Sequence, residues 1–314
     1  MTGWFKKNTS DGPFSIEEAL KVAKIDSIDV ESTWNLFLEN RIFSQYPETK
    51  EYHSNHFTRY LFTLQEILSL PGTSKVLEIG APPYGLTYLM KLILFDDITV
   101  TGFDEKNSAR EQRNYNQTID LSPSDTQPVH FEEYCFNLET QAWPFQDNTF
   151  DLIVCSEVLE HLALDPMHVF SESNRILKSG GRLLITVPNA IGMSNLAKLL
   201  RGEQPSSFPP YRPEGINLRH NRELTPDELE ELFKSGGFLI DVIKTININP
   251  PDMHDINATS LTKLLDGLAN AELRRDFLLG TGIKSSEVRL RYPTRFNLYF
   301  EWDIERLKKT RATK

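Results

Sequence analysis

From residue 75 onward the chain alternates short apolar runs with stretches of helical periodicity. Lys75–Ile79, Ile98–Phe103, Phe150–Cys155, Arg182–Val187 and Phe238–Ile246 are β-branched or continuously apolar runs of strand length. A weaker run at His130–Phe136 and another at Asp276–Lys284 bring the expected strands to seven. Between the first two lies GLTYLMKLILF, a helix with almost no polar face, as burial against a sheet demands. Asp165-Pro166 opens another helix, with Asp as N-cap, Pro in the first turn and Val169, Phe170, Ile176 and Leu177 on its buried side; Gly180-Gly181 is expected to end it. Thr225-Pro226-Asp227-Glu228 spells a capping box at the head of a further helix. Strands separated by such helices imply βαβ units. The expected fold class is α/β, a Rossmann-like, doubly wound, mostly parallel seven-stranded sheet with helices on both faces.

The pattern also divides the chain. Residues 1–45 read as an N-terminal helical appendage, with a helical composition over Ser15–Asn40, and residues 46–290 as the main domain. A helix from about Phe57 to Leu68, stopped by Pro71 and Gly72, precedes the first strand. Residues 190–221 carry Pro205, Pro209, Pro210 and Pro213 and read as a long loop inserted as an acceptor site or lid. A helix near Ser260–Leu268 is expected late in the domain, and residues 291–314 form a basic tail.

Composition narrows the function classes. The chain has 314 residues, 39% hydrophobic and 25% charged, which is globular. Lys and Arg number 34 against 44 Asp and Glu, a net charge of −10, which argues against broad binding to a phosphate backbone. No apolar run approaches the roughly 18 residues of a membrane span, and MTGWFKKNTSDG has no apolar signal core. Cys135 and Cys155 are too few for a disulfide framework or zinc ribbon and are expected to pack. These features point to a cytoplasmic protein acting on a small molecule or a saccharide.

In a doubly wound sheet, ligands bind at the carboxyl ends of the strands. After strand one comes Glu78-Ile79-Gly80-Ala81-Pro82-Pro83-Tyr84-Gly85, and Asp104 follows strand two, placed for ribose hydroxyls. A pyrophosphate needs backbone N–H donors, and Pro82 and Pro83 have none. S-adenosylmethionine carries no phosphate and bears an ammonium and a sulfonium, so an acidic, donor-poor loop suits it. The plainer reading is a tight turn without a ligand.

Here the chain resembles the class I S-adenosylmethionine-dependent methyltransferases. The likeness runs over roughly residues 55–290, through NLETQAWPFQDNTFDLIVCSEVLEHL, NRILKSGGRLLITVPNA and HNRELTPDELEELFKSGGF. It implies that Glu78, Gly80, Ala81 and Gly85 line the methionine part of the cofactor, that Asp104 holds the ribose, and that Asn137 or Glu139 approaches the adenine. The loop departs from the family pattern in lacking the usual middle glycine and in being a residue longer.

After strand four, Glu157, Glu160 and His161 stand at i, i+3 and i+4, one face of a helix, and His220 follows in a distant loop. Two carboxylates and two imidazoles at one sheet edge suit magnesium, manganese, iron or zinc. The E-x-x-E-H pattern with a distant histidine resembles metal-dependent 2′-O-methyltransferases of small-RNA 3′ ends and ubiquinone O-methyltransferases. That resemblance implies a metal bridging two adjacent acceptor oxygens. Without a metal, His161 or His220 remains a candidate general base. The plainer reading is a half-buried, satisfied histidine and a carboxylate bonded to backbone. Arg219 and Arg222 flank His220 and, with Glu157, are candidates to hold the acceptor; the alternative for the arginines is a solvated pair at a helix N-terminus. EVLEHL, TVPNA and RHNRELTPDEL look like bacterial methyltransferases of surface-polysaccharide assembly, which implies a sugar hydroxyl as acceptor. Two other readings stand beside it, an NAD(P)-dependent sugar-nucleotide enzyme and a non-catalytic binding module on a methyltransferase fold.

Overall fold

The computed structural model describes residues 47–70, 73–93, 95, 97–102, 115–120, 130–205, 219–247 and 271–288. Ser15–Asn40, Asp104, Ser260–Leu268 and the basic tail lie outside them. In chain order the elements are α1 (Pro47–Leu68), β1 (Lys75–Ile79), α2 (Gly85–Ile93), β2 (Asp97–Gly102), β3 (Tyr115–Asp120), β4 (His130–Cys135), β5 (Phe150–Ser156), a 3₁₀ turn (Leu159–His161), α3 (Pro166–Ile176), β6 (Leu177–Pro188), α4 (Met193–Leu200), α5 (Pro226–Ser235), β7 (Phe238–Ile246), a second 3₁₀ turn (Ala271–Arg274) and β8 (Phe277–Lys284).

The strands form one sheet in the order β3-β4-β2-β1-β5-β6-β8-β7. β1 pairs in parallel with both β2 and β5, and the parallel run extends through β4 on one side and β6 on the other. β8 runs antiparallel between β6 and β7. All seven anticipated strands are present. An eighth, β3, adds an antiparallel edge against β4; its sequence, YNQTID, is too polar to show an apolar alternation.

The sheet is buried on both faces, and adjacent strand residues divide between them. Val76, Val100, Leu152 and Leu184 pack with Leu61, Leu64 and Ile67 of α1 and Leu89 and Met90 of α2. Leu77, Ile153, Leu183 and Ile185 pack with Val169 and Phe170 of α3 and Leu229, Leu232 and Phe233 of α5. Asp151, the last residue of PFQDNTFD, ties the lower ends of three strands together. It accepts from Ser74 Oγ (2.8 Å), Lys75 N (2.9 Å) and Lys178 Nζ (2.7 Å).

Both predicted helix starts have their caps. Asp165 accepts from Met167 N at 2.9 Å, and Thr225 and Glu228 form the reciprocal capping box. Three expectations need correction. α1 begins ten residues before Phe57, at Pro47. α3 ends at Ile176 rather than at the glycines, because Leu177 is extended and pairs with Phe150 of β5; Gly180 instead takes φ +74 within β6, a conformation that favours glycine. The 190–221 loop contains α4, whose Met193, Leu196, Ala197 and Leu200 fall at helical spacing. Asp276 accepts from Ser194 N (2.8 Å) and Oγ (2.7 Å) at the start of that helix.

Thr225→Ala removes the acceptor for Glu228 N and should cost about 1 kcal/mol. A lower urea midpoint with an unchanged m-value is the expected result of equilibrium unfolding.

Candidate functional site

The strand order reverses direction at β1, with β2 on one side and β5 on the other, so the crevice lies above the carboxyl ends of these strands. Their following residues build the site. After β1, the hydrogen bonds of the loop decide which ligand it fits. Gly80 N donates to Thr101 Oγ1 (3.0 Å) and Ala81 N to Thr101 O (2.9 Å). Pro82 and Pro83 have no N–H, and Tyr84 N donates to Ala81 O (2.7 Å). Every amide from Gly80 to Tyr84 is therefore absent or engaged, and none is left to cradle a phosphate. The loop is also packed from beneath. Gly80 is at φ +69, and a Cβ there would meet Val158 Cγ2 at 2.5 Å; one on Gly85 would meet His53 Nδ1 at 2.4 Å. Tyr84 reaches across to β4, its hydroxyl donating to Glu133 at 2.6 Å.

Glu78 is 3% exposed and accepts from Thr87 Oγ1 at 2.5 Å. Burial raises its pKa to about 8, against the opposing effects of the Thr87 bond and the Arg59 charge. A buried acid in a donor-poor loop suits a cationic ligand without phosphate, so the residues present fit S-adenosylmethionine.

After β5 the chain does not continue as a helix. Glu157 sits at φ +56, and only Leu159–His161 turn, as 3₁₀. The expected common helical face for Glu157, Glu160 and His161 is therefore not formed. Glu157 turns to Arg59 of α1, with Nη1–Oε2 at 2.8 Å, and accepts from Thr186 Oγ1 at 3.0 Å. Glu160, His161 and His220 do converge: one potential ligand atom from each lies within 4.8 Å of the others. Glu157 is not in that cluster.

Glu160 is 1% exposed, and neither carboxylate oxygen has a hydrogen-bond partner. Burial lifts its pKa to about 7. His161 Nε2 is 3.7 Å from Glu160 Oε1, and the His161 and His220 ring centroids are 5.1 Å apart. Each imidazole is oriented through its other nitrogen. His161 Nδ1 is 3.1 Å from the Arg219 carbonyl, which can only accept, and His220 Nδ1 is 3.0 Å from Glu223 Oε1. Asn195 Nδ2 donates to the second oxygen of Glu223 at 2.7 Å. Burial and the neighbouring His220 lower the His161 pKa, so its Nε2 carries a lone pair.

The remaining candidates make contacts within the chain. Asn137 Oδ1 accepts from Glu139 N (2.9 Å) and Thr140 N (3.1 Å), shaping the turn after β4. Glu139 Oε1 accepts from Leu164 N (2.5 Å) and Asp165 N (3.2 Å), holding the entry to α3. Arg222 pairs with Glu228 at 2.5 Å at the start of α5, and Arg219 contributes its carbonyl to His161. Cys135 and Cys155 are buried and unbridged.

The residue most conspicuously missed is Arg59. Its signal was a polar stripe, His53, His56, Arg59 and Thr63, at near-helical spacing on a helix whose first half the apolar pattern did not reveal. His53 and Arg59 are buried, with His53 Nδ1 2.9 Å from Tyr60 Oη.

The strand order, reversing at β1, is that of a doubly wound sheet with its crevice at the carboxyl ends of β1, β2 and β5. Residues 52–241 match the model of the family described as "Methyltransferase domain", and the chain belongs to that family. A protein of Mycolicibacterium smegmatis described as a probable S-adenosylmethionine-dependent methyltransferase is 34% identical over 98 residues, 31% of this chain and 32% of that one. An uncharacterized protein of Methanocaldococcus jannaschii is 48% identical over 46 residues, 15% of this chain and 20% of that one. The chain thus covers a third or less of the length of these curated relatives. Among solved structures, a SAM-dependent methyltransferase from Thermotoga maritima aligns with TM-score 0.46 and 19% identity, over 78% of this chain and 99% of that one. The domain is a class I S-adenosylmethionine-dependent methyltransferase domain. Among the described residues, no helix is long and apolar enough to cross a membrane.

Glu78 gives the apo protein a distinctive pH response. Its carboxyl holds its proton up to about pH 8 when folded but only to about 4.5 when unfolded. Between those values the unfolded chain has released a proton the folded chain keeps, so Glu78 erodes stability as pH rises. Glu78→Gln should therefore raise the melting temperature at pH 8.5 more than at pH 5, while weakening S-adenosylhomocysteine binding. Thermal unfolding at both pH values and calorimetric titration check both parts.

Proposed function

We propose that the whole protein methylates a hydroxyl group of a saccharide or similar polyhydroxylated acceptor, using S-adenosylmethionine and a divalent cation held by Glu160, His161 and His220. The observation that carries this reading is the buried Glu160 carboxylate, with both oxygens lacking partners and two imidazoles beside it. An acid buried in that way is costly unless something compensates it. A 3.7 Å separation from His161 Nε2 is too long for a direct hydrogen bond. A cation between them accounts for the arrangement.

The groups that hold the two imidazoles support the same reading. His161 Nδ1 against a carbonyl and His220 Nδ1 against a carboxylate are the contacts that fix the tautomer of a metal-ligating histidine. The donor set, one carboxylate and two imidazoles, suits iron, manganese or zinc better than calcium. Glu160, His161 and His220 would hold the cation, and a vicinal diol would offer it a pair of oxygens, which is the physical support for a sugar acceptor. The cation supplies Lewis acidity that lowers the pKa of a bound hydroxyl.

The cofactor supplies an electrophilic sulfonium methyl. The chain's own residues bring the partners together and exclude water. The β1–α2 loop, pinned by Thr101 and by Tyr84 on Glu133, holds a fixed floor for the cofactor. Glu157 is pulled toward Arg59, leaving Glu160, with no hydrogen-bond partner on either carboxylate oxygen, beside the imidazoles. The chain's net charge of −10 favours a neutral acceptor over a polyanionic one. The nicotinamide alternative is disfavoured by the same loop, which offers no free amide from Gly80 to Tyr84.

The test is methyl transfer from labelled S-adenosylmethionine to a panel of sugars with and without vicinal diols, with bound metal measured by elemental analysis. Chelator treatment should abolish transfer, and one transition metal should restore it. Glu160→Gln and His220→Ala should each lower metal content and rate at least tenfold together. Full activity in chelator would exclude the metal, and transfer to a nitrogen acceptor alone would exclude the saccharide.

A further inference from the structure

The two imidazoles beside Glu160 are held by different chemistry. His161 Nδ1 faces a neutral main-chain carbonyl, that of Arg219, at 3.1 Å, whereas His220 Nδ1 faces a carboxylate, Glu223 Oε1, at 3.0 Å. A carboxylate accepts, so His220 carries its proton on Nδ1 and keeps the Nε2 lone pair for a ligand. A charged acceptor behind the ring also bonds more strongly than a carbonyl and raises the basicity of the free nitrogen.

Glu223 does not keep this position alone. Its side chain is 5% exposed, and its other oxygen accepts from Asn195 Nδ2 at 2.7 Å. The same nitrogen donates to Asn189 O at 3.1 Å. Both partners are acceptors, which assigns the amide nitrogen, not the oxygen, to this end of Asn195. Asn195 is buried on α4, and that helix is fixed at its start by Asp276, which accepts from Ser194 N and Oγ. Asn189, just after β6, is tied by its own amide to the carbonyls of Leu273 and Arg275. A continuous set of contacts thus runs from the segment before β8, through α4, to the ring of His220. Joining α4 to the entry of α5 does not require a buried carboxylate that ends on an imidazole of the cluster, and burying one is costly.

We propose that Glu223 and Asn195 are positioning residues for His220. Glu223 fixes its tautomer and ring, Asn195 fixes Glu223, and α4 thereby sets how tightly the site holds its divalent cation. The inference rests on the cation reading above and deepens it.

The probe is Co(II), added to the metal-free full chain and followed by its visible absorption, with calorimetric titration of S-adenosylhomocysteine as the control for an intact fold. Glu223→Gln keeps the shape and removes the charge, and it should weaken cobalt binding roughly ten- to hundredfold. Asn195→Ala should weaken it about threefold or more alone, but less than about twofold when added to Glu223→Gln, because it acts through Glu223. S-adenosylhomocysteine affinity should be unchanged in every variant. Undiminished cobalt affinity in Glu223→Gln overturns the proposal. So do fully additive losses in the double variant, and so does an equal loss of S-adenosylhomocysteine binding, which would make the pair a structural tie. If Glu223→Gln does not fold, Asn195→Ala decides alone: weakened cobalt binding with intact S-adenosylhomocysteine binding supports the proposal, and unchanged cobalt binding overturns it. A wild-type protein that takes up no cobalt fails the cation reading and this inference together, whereas equal cobalt binding by wild type and variants fails the inference alone.

Discussion

Three carboxylates, Glu78, Glu157 and Glu160, are buried or nearly so at one edge of the sheet, and Arg59 is the cation among the described residues that ion-pairs with one of them and acts on the other two. That imbalance shapes everything around it. Buried acids that outnumber their cation must be protonated, hydrogen-bonded or met by an added positive charge. Each takes a different course. Glu78 is raised to about 8 and bonded to Thr87, Glu157 takes the guanidinium and Thr186, and Glu160 is left with neither. A cationic cofactor is one addition that restores balance, and the proposed divalent cation would be a second.

The fold makes this placement affordable by stiffness elsewhere. β1 and β5 are neighbours with both faces packed, and Asp151 fastens their opposite ends through Ser74, Lys75 and Lys178. The acids therefore cannot relax into solvent by fraying the strands. α1 closes the remaining side, its apolar face on Val76 and Val100 and its polar stripe on the site. Stability and function draw on the same helix, which is why polar residues occupy part of its buried surface.

Much of this was legible from residue order. The strands of the main sheet and the Asp165 and Thr225 caps follow from local pattern, because periodicity and capping are local quantities. β3 and α4 escaped because their stabilisation is not local: YNQTID gains its partner from β4, and α4 is anchored by Asp276 more than 80 positions on in the chain. Glu157 escaped for a conformational reason. Spacing of i, i+3 and i+4 means one face only if the backbone is helical, and a residue at φ +56 breaks that premise. Arg59 escaped because an arginine amid apolar neighbours normally snorkels to water, and nothing in a sequence says when it instead meets a buried acid from another strand.

The groups that hold His161 and His220 show why the site's chemistry is harder to read than its fold. Glu223 looks like part of a solvated helix entry, yet it lies 3.0 Å from His220 Nδ1 and is held by Asn195 of α4. Arg219 is a candidate acceptor-binding cation, and its carbonyl also lies 3.1 Å from His161 Nδ1, a main-chain contact that residue type does not reveal. The 3₁₀ turn after β5 supports this, since Asn221 N donates to Glu160 O at 2.6 Å and Asn221 Nδ2 to His161 O at 2.7 Å. Those bonds stitch the segment carrying His220 onto the segment carrying Glu160 and His161. The grouping is thus assembled by hydrogen bonds to main-chain carbonyls rather than by bonds among the side-chain ends of Glu160, His161 and His220. Such preorganisation leaves the Glu160 carboxylate oxygens beside two oriented imidazoles with no hydrogen-bond partner of their own.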